Sequence, residues 1–175
     1  VALAHEFKTM ASLRHPNIIS VLDYGFDDDK MPFYTMELLH ESQPMTHVAQ
    51  SLDLPDQIRY LVHLLQALAY LHRRGVFHRD LKPENVMVLK DGSVRLLDLG
   101  LARGLGDAPQ DNDALQLTKT GAMLGTVAYI APEQSLGRRN LGFAADIYSL
   151  AVIGFEMLTG RLPFYGTRSS VLQAH

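Results

Sequence analysis

The stretch from Asp53 to Gly75 constrains this chain more than any other part of it. Ile58, Leu61, Leu64, Leu65, Leu68 and Leu71 recur at three- and four-residue intervals, which is the period of an amphipathic helix. Asp53 or Pro55 opens that helix, it runs to about Arg74, and Gly75 is its C-terminal stop. A leucine stripe at this spacing is a core face. A charged loop follows, His78 to Asn85, and then the period changes. Asn85–Lys90 and Ser93–Leu97 read as short strands joined by Asp91-Gly92, a strong hairpin signal.

The flanks show the same mixture of periods. Residues 3 to 14 read as a helix, with Leu3, Phe7, Met10 and Leu13 or Ala11 on one face. His15-Pro16-Asn17 ends it, because the residue before proline avoids the helical region. Ile18–Phe26 and Pro32–Leu39 read as paired strands across a turn at Asp27–Lys30. The acidic triplet in that turn reads as a solvated hairpin tip in preference to a metal site. Gly104–Asp113, rich in Gly, Asp, Pro and Gln, has no periodicity and reads as a mobile loop. Asp146 starts a last helix that ends at Gly160. It is apolar on nearly every side and is therefore expected in the core. Helices and small antiparallel strands in this order give an α+β class.

Composition narrows the function classes. With 175 residues, 47% hydrophobic and 20% charged, the chain is globular in character. Its net charge of -3 offers no basic field for nucleic acid or an anionic membrane. There is no cysteine, so there are no disulfides and no thiolate metal sites. The longest apolar stretch, Ser149–Leu158, is too short to span a bilayer. The first ten residues do not read as a signal peptide, and both ends read as cuts within a longer protein.

The loop after the long helix is His78-Arg79-Asp80-Leu81-Lys82-Pro83-Glu84-Asn85. Asp98-Leu99-Gly100 lies beyond the next hairpin, and Gly125-Thr126 and Ala131-Pro132-Glu133 lie further on. In this order, and on these elements, the strings resemble a eukaryotic-type Ser/Thr protein kinase catalytic domain of bacterial character. The resemblance implies a two-lobe kinase fold, with 1–39 a remnant of the small lobe and hinge and 40–175 a partial large lobe. It implies ATP and Mg²⁺ as cofactors and protein Ser/Thr hydroxyls as acceptors.

Roles follow from the same resemblance. Asp80 accepts or orients the substrate hydroxyl proton. Lys82, two residues on, neutralises the transferring phosphoryl group. Asn85 and Asp98 offer oxygen ligands to Mg²⁺, a hard cation. Lys82 and Thr126 fit the Ser/Thr class, in which such a threonine bonds the catalytic Asp and Lys. Glu6 matches the helix C glutamate that pairs with the ATP-binding lysine. Met36 with Glu37-Leu38-Leu39 resembles the gatekeeper and hinge, so the backbone at Glu37 and Leu39 is expected to meet adenine. Asp146 resembles the helix F aspartate that holds the catalytic loop, and it also reads as an N-cap. Met10, His78 and Leu99 resemble the apolar stack between lobes, which makes His78 structural. Arg79 implies control by activation-loop phosphorylation, with Thr118 and Thr120 as the expected sites. Autophosphorylation admits a homodimer. The kinase domain is expected in the cytoplasm, and a membrane tether could lie outside these residues.

Three departures from the family are visible. Leu99 stands where the family has Phe. Neither a glycine-rich loop nor a V-A-I-K lysine precedes Glu6. The arginine that pairs with Glu133 in the family is absent, which would leave a costly buried charge. The isolated 175 residues are therefore expected to be unstable and to have little or no kinase activity. A non-catalytic kinase-like scaffold is the alternative reading. A small-molecule phosphotransferase is a third, opposed by the long loop and Ala131-Pro132-Glu133.

Overall fold

The structure is a computed structural model that describes residues 10–29, 31–98, 126–138 and 141–175. The expected positions Glu6, Leu99, Thr118 and Thr120 and the loop at 104–113 lie outside the described residues.

Residues 10–12 are helical, and Leu13 closes that turn by donating to the Met10 carbonyl. The helix thus ends short of residue 14, one turn ahead of the proline. β1 (Val21–Phe26) and β2 (Pro32–Met36) form an antiparallel pair with a register shift between Val21 and Asp23. Both strands are shorter than their sequence pattern: the Ile18 end turns to another partner, while Glu37 keeps one hydrogen bond to the Ser20 carbonyl beyond the end of the ladder. Ile18 bridges Leu96, and Ile19 donates to the Leu96 carbonyl. At the hairpin tip, Asp27 exchanges hydrogen bonds with Met31 through its backbone N–H and its carboxylate. The tip is exposed, as expected of a solvated turn.

β3 (Gln43–Pro44), β4 (Val86–Val88) and β5 (Val94–Leu96) form a second antiparallel sheet in the order β3-β4-β5. Gly92 closes the β4–β5 turn at φ 79°, where a side chain would be strained. Asp91 accepts the Ser93 N–H at 2.8 Å.

Three helices carry the core. α1 is Met45–Ala49 and α2 is Leu54–His72, opened by Asp53, whose carboxylate accepts the Asp56 N–H. Tyr60, Leu64, Ala67, Leu68 and Leu71 are the buried residues of α2. Ile58 and Leu65, expected in the stripe, are exposed. They share the opposite side of the helix with Leu54 and Val62. The period of the pattern was right, but which arc faces inward depends on what packs there. Met45, Ala49, Val86, Val94, Leu96, Val152, Ile153 and Met157 complete that contact. After the short α3 (Pro132–Ser135), α4 spans Phe143–Thr159 and ends on Gly160 in the left-handed conformation. α5 is Arg168–Ala174.

α4 corrects two expectations. It begins at Phe143 with Gly142 as N-cap, so Asp146 lies inside the helix and is not its cap. It is also buried on one side only. Ala145, Asp146, Ser149, Val152, Ile153 and Met157 face inward, while Phe143, Ile147, Phe155 and Leu158 are exposed. High overall apolarity does not state how many neighbours a helix has. Among the described residues, none of the helices is long and apolar enough to cross a membrane.

Candidate active site

The loop between α2 and β4 is held from below by one carboxylate. Asp146, 1% exposed, accepts the His78 N–H at 2.9 Å and the Arg79 N–H at 2.7 Å. Its Oδ2 also meets His72 Nε2 at 2.8 Å. Three donors converge on a carboxylate that a helix carries into the interior, which is how a buried charge is satisfied. This explains why Asp146 is drawn inside α4 and does not sit at its end. His72, in the last turn of α2, has no counterpart among the residues singled out by sequence. Its only signal was its place six residues before His78.

His78 is fully buried, with Nε2 2.8 Å from the Leu97 carbonyl. A carbonyl only accepts, so Nε2 carries the proton and Nδ1 is left as an acceptor. Asp80 N–H approaches that Nδ1 at 3.4 Å. Burial holds the His78 pKa below its ordinary value, and this outweighs the Leu97 hydrogen bond and nearby carboxylates that favour the charged form. Burial thus favours a neutral His78, which also faces the Asp80 N–H. A pH dependence follows. The unfolded chain takes up a proton near pH 6.5 and the native chain resists it, so stability is level above that pH and falls below it. The slope approaches about 1.4 kcal/mol per pH unit for one such group. Denaturant titrations between pH 7.5 and 5.5 check this; stability that rises on acidification would refute it.

Arg79 adopts φ 62°, an unfavourable left-handed geometry for a residue with a Cβ, at a cost of roughly 1–2 kcal/mol. The kink turns the chain so that Asp80 and Lys82 lie on the open side. Lys82 Nζ donates to Asp80 Oδ2 at 2.9 Å, and both side chains are about a quarter exposed. Asn85 sits in the 3-10 turn Pro83–Asn85 and is buried. Its Nδ2 donates to the Asp80 carbonyl at 2.9 Å, and its own carbonyl accepts the Leu97 N–H at 2.8 Å. The amide oxygen of Asn85 has no protein donor among the described residues. Asp98 follows β5 at φ 43°, a geometry that aspartate tolerates better than most residues. Tyr34 offers its hydroxyl to Asp98 Oδ1 at a long 3.4 Å. Burial and then the Asp98 charge raise the Tyr34 pKa, so the phenol stays protonated as a donor.

The strand that delivers Asp98 is stitched to the segment before β1. Asn17 is buried and donates to the Val94 carbonyl at 3.1 Å. Leu96 N–H donates to the Asn17 carbonyl at 2.8 Å. His15-Pro16-Asn17 reads in sequence as a helix stop, and the Asn17 side chain adds this second role. Glu37 accepts from Ser20 N–H and Arg95 Nε, each at 3.3 Å, and its N–H donates to the Ser20 carbonyl. Its carbonyl and the Leu39 N–H make no hydrogen bond among the described residues.

Thr126 opens the 3-10 turn Thr126–Tyr129. Tyr129 is buried; its hydroxyl donates to Glu156 Oε2 at 2.7 Å and its carbonyl accepts from Ser149 Oγ. Glu133 lies in the first turn of α3, half-buried and without an ion pair among the described residues. The expected penalty of a fully buried charge is relieved by this partial exposure. No group of three or more His, Cys, Asp or Glu side chains could hold a metal among the described residues.

The protein kinase domain family matches residues 2–175. A probable serine/threonine-protein kinase of Streptomyces coelicolor is 38% identical over 167 residues, covering 92% of this chain and 24% of that protein. The serine/threonine-protein kinase PknA of Mycobacterium tuberculosis is 37% identical over 168 residues, covering 92% of this chain and 37% of its own. Probable serine/threonine-protein kinase PknB of Lactococcus lactis is 36% identical over 159 residues, covering 90% of this chain and 24% of its own. The chain thus spans well under half the length of each of these relatives. A match along nearly all of its residues, on top of the loop that Asp146 organises, leads to one conclusion: the chain belongs to the protein kinase domain family.

Proposed function

We propose that this chain is the catalytic unit of a Ser/Thr protein kinase, transferring the γ-phosphoryl group of ATP to hydroxyls of protein substrates. The observation that carries the reading is the catalytic loop itself. Asp80, Lys82 and Asn85 are linked to one another, and the backbone just before Asp80 is pinned to buried Asp146. Phosphoryl transfer needs positioned charge more than covalent chemistry, and a preorganised loop supplies that.

Asp80 lies at the open side of the loop and takes the proton of the acceptor hydroxyl. Lys82 offsets charge on the transferring group. The free amide oxygen of Asn85 and the carboxylate of Asp98 are hard oxygen donors that suit Mg²⁺. A small carboxylate count also suits an ion that keeps water and phosphate ligands. Bound there, Mg²⁺ would neutralise phosphate charge. The Glu37 carbonyl and Leu39 N–H, unpaired among the described residues, would form the adenine-binding edge. Residues 1–39 act as small lobe and hinge, with Glu6 in the role of the glutamate that pairs with the ATP-binding lysine, and 40–175 act as large lobe. Arg79, whose Nε is buried without a partner among the described residues, would receive a phosphate on Thr118 or Thr120 made by autophosphorylation between two copies. The domain would work in the cytoplasm, where ATP is supplied, with or without a membrane tether outside these residues.

The test uses protein expressed from the complete coding sequence, supplied with γ-labelled ATP and Mg²⁺. Label is expected on serine and threonine. No label, or label confined to tyrosine, would overturn the reading.

A further inference from the structure

Asp80 follows a left-handed residue, and the bonds that hold this kink come from two different helices. Asp146 of α4 takes the Arg79 N–H at 2.7 Å. The Arg79 carbonyl, on the other side of the kink, accepts Nε2 of Gln134 at 2.7 Å. That carbonyl belongs to the peptide group whose N–H is Asp80's own, and this N–H faces His78 Nδ1 at 3.4 Å. The plane that aims the Asp80 side chain is therefore held at its oxygen by Gln134 and at its nitrogen by His78. A peptide group turned through a left-handed residue is not self-supporting; external partners must keep it there.

Gln134 is itself held in place. It is the third residue of α3, and its Oε1 accepts the Ala131 N–H at 3.0 Å. Ala131 has no side-chain acceptor to return the bond, so this is half of a capping box. One end of the amide caps α3 and the other reaches the loop. An amide can do this because it carries an acceptor and a donor on one planar group. The distance in sequence is 55 residues, so the bond is tertiary.

We propose that Gln134 is a positioning residue for phosphoryl transfer, orienting the Arg79–Asp80 peptide and through it the Asp80 carboxylate. The inference rests on the kinase reading above. It also joins the start of α3, which follows the 126–129 turn, to the catalytic loop, so displacement of α3 would misaim Asp80.

Two substitutions separate the two ends of the amide. Gln134→Glu keeps an oxygen for the Ala131 N–H, and a carboxylate in a first helical turn is favourable. It removes the donor to Arg79 and sets oxygen against oxygen. Gln134→Met removes both bonds. Both are made in protein expressed from the complete coding sequence, beside the parent and Asp80→Asn. Gln134→Glu is expected to lower kcat by roughly tenfold or more, since small misplacements of reacting groups are costly. KM for ATP should stay within about twofold and the melting temperature close to the parent's. Deuterium uptake of the 77–82 segment should rise, while that of α4 stays as in the parent.

A merely structural Gln134 gives a different pattern. Gln134→Glu would then match the parent in kcat and in 77–82 uptake, and only Gln134→Met would lose stability; that result overturns the proposal. Reduced kcat with unchanged uptake also counts against it. If the parent itself transfers no phosphoryl group, the kinase reading falls, and uptake alone decides the Gln134 contact: faster exchange in Gln134→Glu upholds it, and parental exchange removes it.

Discussion

If Asp80 is the proton acceptor proposed above, Asp80→Asn is expected to lower the rate of phosphoryl transfer by about 10²–10⁴-fold and to leave the melting temperature near that of the parent. Asparagine has the same shape but cannot take a proton from an attacking hydroxyl. The backbone bonds at this position, Asp80 N–H toward His78 Nδ1 and Asn85 Nδ2 to the Asp80 carbonyl, do not involve the carboxylate. The loop should therefore keep its course. What is lost structurally is the 2.9 Å pair with Lys82. Both partners are partly solvated, so that pair is worth about 1 kcal/mol or less. A single-turnover assay with a thermal melt on the same preparation separates the two effects. Transfer at more than about a tenth of the parental rate would mean that Asp80 is not the proton acceptor. A large fall in stability would mean that its role is structural.

Asp146→Ala is expected to cost about 3–5 kcal/mol of folding stability. The substitution leaves the His78 N–H, the Arg79 N–H and His72 Nε2 without their acceptor, all at sites with little water. Each unsatisfied buried donor costs about 1–3 kcal/mol. The total is a large share of the roughly 5–15 kcal/mol that holds a domain together. Asp146→Asn should cost less, because one oxygen survives, but its NH₂ group must face donors. Both variants should also release the Arg79 kink and so lower transfer. Urea unfolding gives the stability change. A loss under about 1 kcal/mol for Asp146→Ala would show that the loop does not depend on this carboxylate.

How much of this was legible in sequence depends on the range of the interaction. The helix over Leu54–His72, its cap at Asp53 and its stop near Gly75 were readable because caps, turns and periodicity are local. The β4–β5 turn at Asp91-Gly92 was readable for the same reason: only glycine takes φ 79° without strain. Ile58 and Leu65 were misplaced because a helix pattern gives a period but not the arc that a neighbour will cover. The Asp146 carboxylate accepts the His78 and Arg79 N–H groups, a contact that no local pattern encodes. The cap expected of it is made by Gly142 instead.

The site divides along the same line. Asp80, Lys82, Asn85 and Asp98 stand out because they fall within short ordered strings, and for the first three adjacency in the chain nearly dictates adjacency in space. Chain order thus determined the family, the class of fold and the loop proposed to carry the chemistry. Only the tertiary structure decided which side chains hold that loop. Asp146 and Gln134 reach its backbone from other helices, Gln134 across 55 residues, and His72 braces the Asp146 carboxylate. Bonds to backbone carbonyls and amides leave little trace in a sequence, because any residue supplies the main-chain partner and only folding brings the two together.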